Sequence, residues 1–155
     1  MTAAGFERKI VFIGMNQAIH RLRQIQIAML VSIALYVLIG EKLAPKMQRD
    51  PANTLFHALS LVSIILVGAT VVVRRTLVTP SEASLAHRPD DGVEIARWRS
   101  GYISVYAMCN ALALFGLVLR LMGFTLANVW GFYLGGFLLL LLNSPRTPKR
   151  DRGED

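Results

Sequence analysis

Four long segments of this 155-residue chain contain no Asp, Glu, Lys or Arg, and their lengths limit the folds that the chain can adopt. A helix needs roughly 20 apolar residues to cross the hydrocarbon core of a bilayer, which is about 30 Å thick. Each charge-free segment is close to that length. We therefore predict an all-α fold, an integral membrane four-helix bundle, with spans at about 24–40, 55–73, 101–122 and 126–142.

The composition agrees with a membrane location. Only 17% of the residues are charged, whereas about a quarter are charged in a typical soluble domain. The net charge of +7 is compatible with nucleic-acid binding, but the basic residues gather at the ends of the apolar segments, as in membrane proteins. We expect a multi-pass protein of the cell membrane, such as a bacterial inner membrane, with the lipid bilayer as its partner and no nucleic acid.

The basic residues also predict an orientation. The N-terminal lead, the stretch 74–100 and the C-terminal tail carry 13 of the 17 lysines and arginines. The other side carries Lys42, Lys46, Arg49 and Arg120. Because short cytoplasmic connections are enriched in basic residues, we predict that both termini are cytoplasmic.

The chain divides into a lead at 1–23, a four-helix domain at 24–143 and a charged tail at 144–155. We expect the tail to be disordered because it is charged and contains prolines. The lead is amphipathic, and its sequence leaves open whether it lies on the membrane surface or continues into the first span. The first apolar segment follows a long charged lead, so we expect it to stay in the mature protein and not to be removed as a signal peptide.

The stretch 74–100 is predicted to form a cytoplasmic helical loop between the second and third helices. It contains two helix-start signals. The first signal has a capping hydroxyl, a proline in the first turn and an acid three residues after the cap: Thr79, Pro80 and Glu82. The second is Asp91, from which we expect the third helix to begin near Gly92.

Three polar residues of the third helix are candidate functional positions: Tyr106, Asn110 and Arg120. An unpartnered amide is costly in lipid, so Asn110 should face other helices, either in a hydrogen bond that fixes packing or in contact with a ligand or ion. Arg120 lies about one turn from the helix end, where it either extends to the lipid head groups or anchors an anionic lipid or substrate. The second alternative gains support if the face that includes Cys109 and Gly116 turns inward.

Other small and hydroxyl-bearing residues indicate helix packing. Gly131 and Gly135 form a G-x-x-x-G motif, which favours close helix contact within the bundle or between copies. Ser60, Ser63 and Thr70 share one face of the second span. Their hydroxyls can bond to backbone carbonyls or to a neighbouring helix.

The segment CNALALFGLVLRLMG, residues 109–123, resembles the second hairpin helix of the proteolipid (c) subunits of rotary ATPases. In that family a carboxylate precedes a run of the type A-x-A-x-Y/F-G-L-V and carries a proton or sodium ion through the membrane. The matching position here is Asn110, which cannot ionise, and the glycine-rich first helix is absent. The resemblance therefore does not bring the ion-carrying role with it. The whole chain also resembles small bacterial four-span membrane proteins, which implies the architecture and no activity.

No catalytic, metal or cofactor site is expected. The histidines, His20, His57 and His87, fall at different ends of the predicted helices or in a loop and lack a metal-binding spacing. Cys109 is the single cysteine, so no internal disulfide can form, and it has no predicted base beside it. We therefore do not expect an enzyme.

The leading hypothesis is a small integral membrane protein with a structural or accessory role, acting with a membrane protein partner or as a homo-oligomer. One alternative is an oligomeric channel or transporter with a polar path around Asn110 and Tyr106. A further alternative is lipid or quinone binding between helices, with Arg120 or Trp98 near the head group. The substrate or partner, the number of copies and the pathway are not fixed by the sequence.

Overall fold

The computed structural model describes residues 3–44, 54–87 and 91–145, and for 3–18 and 87 it describes the backbone only. Within these ranges the chain is helical and contains no strand, which confirms the all-α class for this part. The helices are α1 (Ala3–Leu43), α2 (Thr54–Val73), α3 (Thr79–His87), α4 (Gly92–Leu121) and α5 (Leu126–Leu142). A π-helical turn, Arg74–Val78, joins α2 directly to α3.

Three helical stretches are long and apolar enough to cross a membrane: Ile19–Leu43, Thr54–Ala86 and Gly92–Leu121. The last helix, α5, is equally apolar but has 17 residues, and at 1.5 Å per residue it is about 25 Å long. It occupies the fourth charge-free segment of the sequence. Three helices are therefore long and apolar enough to span a membrane, and α5 is shorter than a full hydrocarbon core.

Two clusters of buried residues lie at opposite ends of the bundle. We call these ends the Trp98 end and the Phe124 end. The Trp98 end is filled by Ile19, Leu22, Val78, Leu85, Trp98 and Tyr102. The Phe124 end is filled by Ile33, Leu117, Leu119, Phe124, Val129 and Phe132. Both clusters include side chains of α4, so α4 links the two ends of the core.

The central helix of the bundle is α4, and α5 folds back along it. About half of the most apolar part of α4 is buried, a far larger share than in α1 or α2. Gly123 has a φ of 95°, a left-handed conformation that glycine adopts without strain, and it turns the chain into α5. Further along this hairpin Gly136 lies close to the backbone carbonyl of Cys109. The hairpin has the largest helix–helix contact in the structure.

The first helix runs parallel to α4. Leu22 packs in the same cluster as Trp98. Gly40, 18 residues further along α1, lies against the side chain of Arg120, 22 residues further along α4. The backbone of α1 is helical from Ala3 onward without interruption. From Ala3 onward, the lead and the first predicted span therefore form one continuous helix. The backbone of the lead continues into the first span, which was one of the two alternatives left open by the sequence.

The second helix runs antiparallel to α4 and is the most exposed of the long helices. Near its start the ring of Phe56 stacks on Phe124, with centroids 5.6 Å apart, and near its end the hydroxyl of Thr70 lies 3.6 Å from the sulfur of Met108. Its outer face carries large apolar side chains such as Ile64, which is 69% exposed. Exposed apolar surface of this extent is compatible with contact to hydrocarbon.

The α-helix α3 begins at Thr79, where a helix start was predicted, but Thr79 does not cap it, because the helix continues from the π turn before it. Thr79 has helical backbone angles, φ −61° and ψ −45°, and its hydroxyl donates to the carbonyl of Arg74 at 3.1 Å. Pro80 lacks an N–H group, and its ring crowds the carbonyl four residues earlier. The wider π turn immediately before Pro80 accommodates this crowding, so the helix continues where a start was predicted.

The second start signal is confirmed. Asp91 has an extended backbone, and its carboxylate accepts hydrogen bonds from the N–H groups of Val93 at 3.0 Å and Glu94 at 3.3 Å. These are two of the four amides that a helix start leaves unpaired. α4 accordingly begins at Gly92.

Candidate functional site

Asn110 lies on α4 and forms the interhelical hydrogen bond that its sequence position predicts. Its Nδ2 group donates to the hydroxyl oxygen of Tyr36 on α1 at 3.1 Å. Its Oδ1 atom is buried and has no hydrogen-bond partner among the described residues. The amide therefore joins α1 to α4 with one of its two polar ends and leaves an acceptor free.

Tyr106 lies one turn before Asn110 on α4 and is completely buried. Its ring is 5.9 Å from the ring of Tyr102, and its hydroxyl has no partner in the described part of the chain. No hydrogen bond joins it to Asn110 in that part. The two candidates share a helix, but the structure does not connect them into one polar path.

Arg120 forms an ion pair and does not simply extend to the membrane surface. Its Nε donates to Oε1 of Glu41 at 2.9 Å, and its Nη1 donates to the carbonyl oxygen of Phe124 at 2.9 Å. The face of α4 that includes Cys109 and Gly116 does turn inward, toward α5. Arg120 thus lies where an anion could be held, but Glu41 already occupies that position. Glu41 lies just beyond residue 40, where the first span was predicted to end, and it belongs to the last turn of α1.

Glu82 is a site that the sequence did not reveal, because it was interpreted as a helix-start acid. Its Oε1 accepts a hydrogen bond from the hydroxyl of Tyr102 at 2.9 Å and a longer one from Nε1 of Trp98 at 3.4 Å. The two aromatic rings contact each other edge to face. The only signals in the sequence are that Glu82 is the sole acid of α3 and that the two aromatic residues are four apart.

Gln26 is a second residue that sequence reasoning passed over. It is buried on α1, its Nε2 donates to the backbone carbonyl of Leu140 on α5 at 2.9 Å, and Ser144 donates to its Oε1 at 3.4 Å. The sequence did contain a signal for this bond. Gln26, like Asn110, is a polar amide within a charge-free segment, where an amide is expected to need a partner. The two amides bond α1 to two different helices.

The G-x-x-x-G motif contributes less to packing than the glycine that follows it. A Cβ atom built on Gly136 would lie 2.7 Å from the carbonyl oxygen of Cys109, whereas one built on Gly131 would meet nothing within 4 Å. Gly135 is intermediate, with Leu112 at 3.2 Å. Close approach of α5 to α4 therefore depends on Gly136, and Gly131 faces outward.

The hydroxyls of the second span bond mainly to their own helix. Ser63 donates to the carbonyl of Leu59 at 2.7 Å, and Thr70 donates to the carbonyl of Leu66 at 2.9 Å. Of the two alternatives predicted for this face, these bonds are the intrahelical one. Thr70 also contacts a neighbouring helix, because its hydroxyl lies 3.6 Å from the sulfur of Met108 on α4.

The polar residues thus form separate bonds between helices and are not gathered into one centre. Across the described ranges no three His, Cys, Asp or Glu side chains come together as a metal site would require. Compared with known proteins, the chain matches no protein-family model, no curated protein and no solved structure. What distinguishes this protein is therefore the geometry of these bonds and the surfaces of its helices.

Proposed function

We propose that this protein is a four-span integral membrane protein with a structural or accessory role, non-enzymatic, with both termini in the cytoplasm. In this arrangement α3 and the first turns of α4 form the cytoplasmic helical loop. α5 is the fourth span, and its short length is matched by local bilayer thinning, which costs only a fraction of a kcal/mol per Å. The likeness to the rotary ATPase proteolipids remains a prediction.

The orientation is supported by the distribution of charge along the bundle. The Trp98 end carries six arginines with described side chains: Arg21, Arg23, Arg74, Arg75, Arg97 and Arg99. At the Phe124 end the described basic residues are Lys42 and Arg120, and Arg120 is paired with Glu41. Because the cytoplasmic ends of membrane helices are enriched in arginine and lysine, the Trp98 end is assigned to the cytoplasm.

This orientation is tested by labelling single cysteines with a membrane-impermeant maleimide. Cys109→Ala provides the background, and Lys42→Cys and Arg99→Cys provide probes at the two ends. We expect Lys42→Cys to be labelled in right-side-out vesicles and Arg99→Cys only in inverted vesicles. The reverse pattern, or labelling of both from one side, contradicts the proposed topology.

The accessory role rests on one observation, which is how the polar groups inside the helices are used. Asn110, Gln26 and Arg120 each bond α1 to another part of the bundle. Such bonds in a lipid environment hold helices in one arrangement. A fixed bundle whose second helix presents a broad apolar face to the bilayer suits a role in binding another membrane protein.

The test is purification of tagged protein from native expression in a mild detergent, with native mass spectrometry of the eluate. We expect a distinct second polypeptide in a fixed ratio. Ile64→Asn, which places an amide on the exposed face of α2, should reduce that ratio, and the equally exposed Val93→Asn on α4 should not. Recovery of the chain alone, with no second polypeptide, would count against the accessory role.

An oligomeric channel or transporter is the alternative that a specific observation favours. Three buried polar atoms have no partner among the described residues and belong to side chains of α4 and α5: the Tyr106 and Tyr133 hydroxyls and Asn110 Oδ1. Such atoms are costly unless water or a solute meets them. Solute flux through reconstituted protein that disappears in Asn110→Leu, while the bundle stays folded, would support this alternative over the accessory role.

Lipid or quinone binding at Arg120 or Trp98 is less favoured by the geometry. The guanidinium of Arg120 already bonds Glu41 and Phe124, and the indole N–H of Trp98 already faces Glu82. A head group at either position would have to displace these bonds. Native mass spectrometry of the same preparation would reveal any retained quinone.

A further inference from the structure

Two arginines of the Trp98 end lie at nearly the same level on neighbouring parallel helices, Arg21 on α1 and Arg99 on α4. The hydrogen bond between Tyr36 and Asn110 joins positions of these helices that are 74 residues apart in the chain. Arg21 and Arg99 are 78 residues apart. The difference between the two separations corresponds to about 6 Å along the helix axis, a distance that long arginine side chains can span.

Both arginines also lie at the contact between these two helices. Arg99 precedes Asn110 by 11 residues, which is about three full turns, so it lies on the face of α4 that Asn110 turns toward α1. Arg21 precedes Tyr36 by 15 residues, which places it about 60° around α1 from Tyr36, on the side away from the buried Leu22. The two arginines therefore border the outer edge of the contact between α1 and α4.

Neither Arg21 nor Arg99 forms an ion pair with a residue that the structure describes. The acids with described side chains all contact other groups: Glu41, Glu82, Asp91 and Glu94. Arg99 is half-buried, so water hydrates its charge only in part. Like charges that lie side by side repel, most strongly where the dielectric constant is low. An anion held between the two arginines would offset that repulsion.

The position of the two arginines along their helices indicates the class of anion. Arg21 and Arg99 come just before the apolar spans predicted to begin at 24 and 101. In the membrane placement proposed above, this is the level of the phospholipid head groups. One turn further along α4, Ile103 is 41% exposed, so the surface beyond Arg99 is apolar. A phosphate at the arginines, followed by an acyl chain along Ile103, matches this order of surfaces.

We propose that Arg21 and Arg99 bind the phosphate of one anionic phospholipid from the leaflet at the Trp98 end. A planar guanidinium group donates two parallel hydrogen bonds to phosphate oxygens, so the two arginines hold one phosphodiester from two helices. The bound phosphate links α1 to α4 at the end of the bundle opposite the ion pair of Arg120 and Glu41. The inference rests on the proposed membrane placement of the helices and does not depend on the accessory role.

The test compares arginines that differ in position and not in charge. Arg21→Gln and Arg99→Gln each remove one of the two proposed contacts. Arg23→Gln is the matched control, because Arg23 is an exposed arginine on the same turn of α1, on the other side of Leu22. Each protein in non-ionic detergent is titrated with dioleoyl phosphatidylglycerol or with dioleoyl phosphatidylcholine, whose head group has no net charge. Bound lipid is counted by native mass spectrometry.

We expect the wild-type protein and Arg23→Gln to retain one phosphatidylglycerol per chain and to bind phosphatidylcholine more weakly. Arg21→Gln and Arg99→Gln should each bind phosphatidylglycerol roughly tenfold more weakly, the loss that follows removal of a charge-assisted hydrogen bond. Arg99→Lys, which keeps the charge and loses the planar fork, should have an intermediate affinity. The double variant should lose little more than either single one, because both arginines hold the same phosphate.

Equal weakening in Arg23→Gln and Arg99→Gln overturns the proposal, because attraction by the overall positive charge would then explain the binding. Two other occupants are tested in the same preparations. Displacement of the lipid by an equal concentration of inorganic phosphate identifies a soluble anion as the ligand. An acidic polypeptide that is lost in Arg99→Gln, while the lipid count stays unchanged, identifies a protein as the ligand. Either result overturns the assignment to a phospholipid.

Circular dichroism shows whether each variant keeps its helices. Arg21 is exposed, so Arg21→Gln is expected to fold even if substitution of the half-buried Arg99 disturbs the bundle. A folded Arg21→Gln protein that binds phosphatidylglycerol as tightly as the wild type rejects the site. Extraction of cell membranes with alkaline carbonate tests the membrane placement separately, because a protein that is released refutes that placement itself. The accessory role is tested by the ratio of the second polypeptide, so it can fail while the lipid site stands.

Discussion

The guanidinium of Arg120 and the carboxylate of Glu41 join the last turns of α4 and α1, with 2.9 Å between Nε and Oε1. The Glu41 side chain is 42% exposed, so water and salt screen the pair. We expect Glu41→Ala to lower the free energy of unfolding in mixed detergent micelles by about 1 kcal/mol. Arg120→Met should cost more, because it also removes the bond to Phe124.

The neighbouring Lys42→Ala is the control for this pair, because Lys42 is exposed on the same turn. The effect of Glu41→Ala should shrink as salt concentration rises, and that of Lys42→Ala should stay near zero. An effect of Glu41→Ala that is independent of salt would mean that the carboxylate acts by packing and not by charge.

The bond between Asn110 and Tyr36 can be measured by a double-mutant cycle. Asn110→Leu and Tyr36→Phe should show a coupling free energy of about 0.6–1 kcal/mol, the usual range for a hydrogen bond between membrane helices. Ser32→Ala is the control, because the Ser32 hydroxyl bonds only within α1, to Ala28. A coupling indistinguishable from zero would show that the bond does not hold α1 against α4.

Gly136 sets the distance between α5 and α4. A methyl group there would lie 2.7 Å from the Cys109 carbonyl oxygen, so Gly136→Ala must push the helices apart and should destabilise the bundle by about 1–3 kcal/mol. Gly131→Ala should leave thermal stability unchanged or slightly raised, since its side is open. If both substitutions have the same effect on the melting temperature in detergent, close packing at Gly136 is not what holds the hairpin together.

The carboxylate of Glu82 on α3 accepts hydrogen bonds from Tyr102 and Trp98 on α4 and so holds the two helices together. Hydrogen bonds to a charged acceptor contribute about 1.5–3 kcal/mol each, and this carboxylate is only partly buried, so we expect Glu82→Ala to weaken the contact by about 1–2 kcal/mol. Hydrogen exchange of the amides in Thr79–His87 should become faster. Glu94→Ala is the comparison, because its partner Arg97 is 3.9 Å away and exposed, and it should leave exchange in α3 unchanged.

Local signals in the sequence identified the helices well. Charge-free length alone located α5, and the short acidic side chain of Asp91 located the start of α4, because a capping bond involves residues two and three positions apart. The interhelical bond of Asn110 was also predictable in kind, since an amide in lipid needs a partner. Its partner, Tyr36, was not, because 74 residues separate them.

The remaining contacts depend on three-dimensional neighbours. Glu41 meets Arg120 across 79 positions, and Gln26 meets Leu140 across 114. The cap predicted at Thr79 did not form for a related reason, although α3 does begin there. The pattern of a capping residue, a proline and an acid marks a helix start only if the preceding helix ends before it. Here the preceding helix does not end, because the π turn and packing against α4 allow it to continue.

The π turn at Arg74–Val78 also determines which side of α3 faces α4. A π turn holds one residue more than an α-helical turn, and each residue of an α-helix advances the side chains by about 100° around the axis. Without that extra residue, Glu82 would project about a quarter of a circle away from Trp98 and Tyr102. The π turn therefore sets the rotation of α3 relative to α2 about their common helix axis. As a result, both helices direct their buried side chains toward α4.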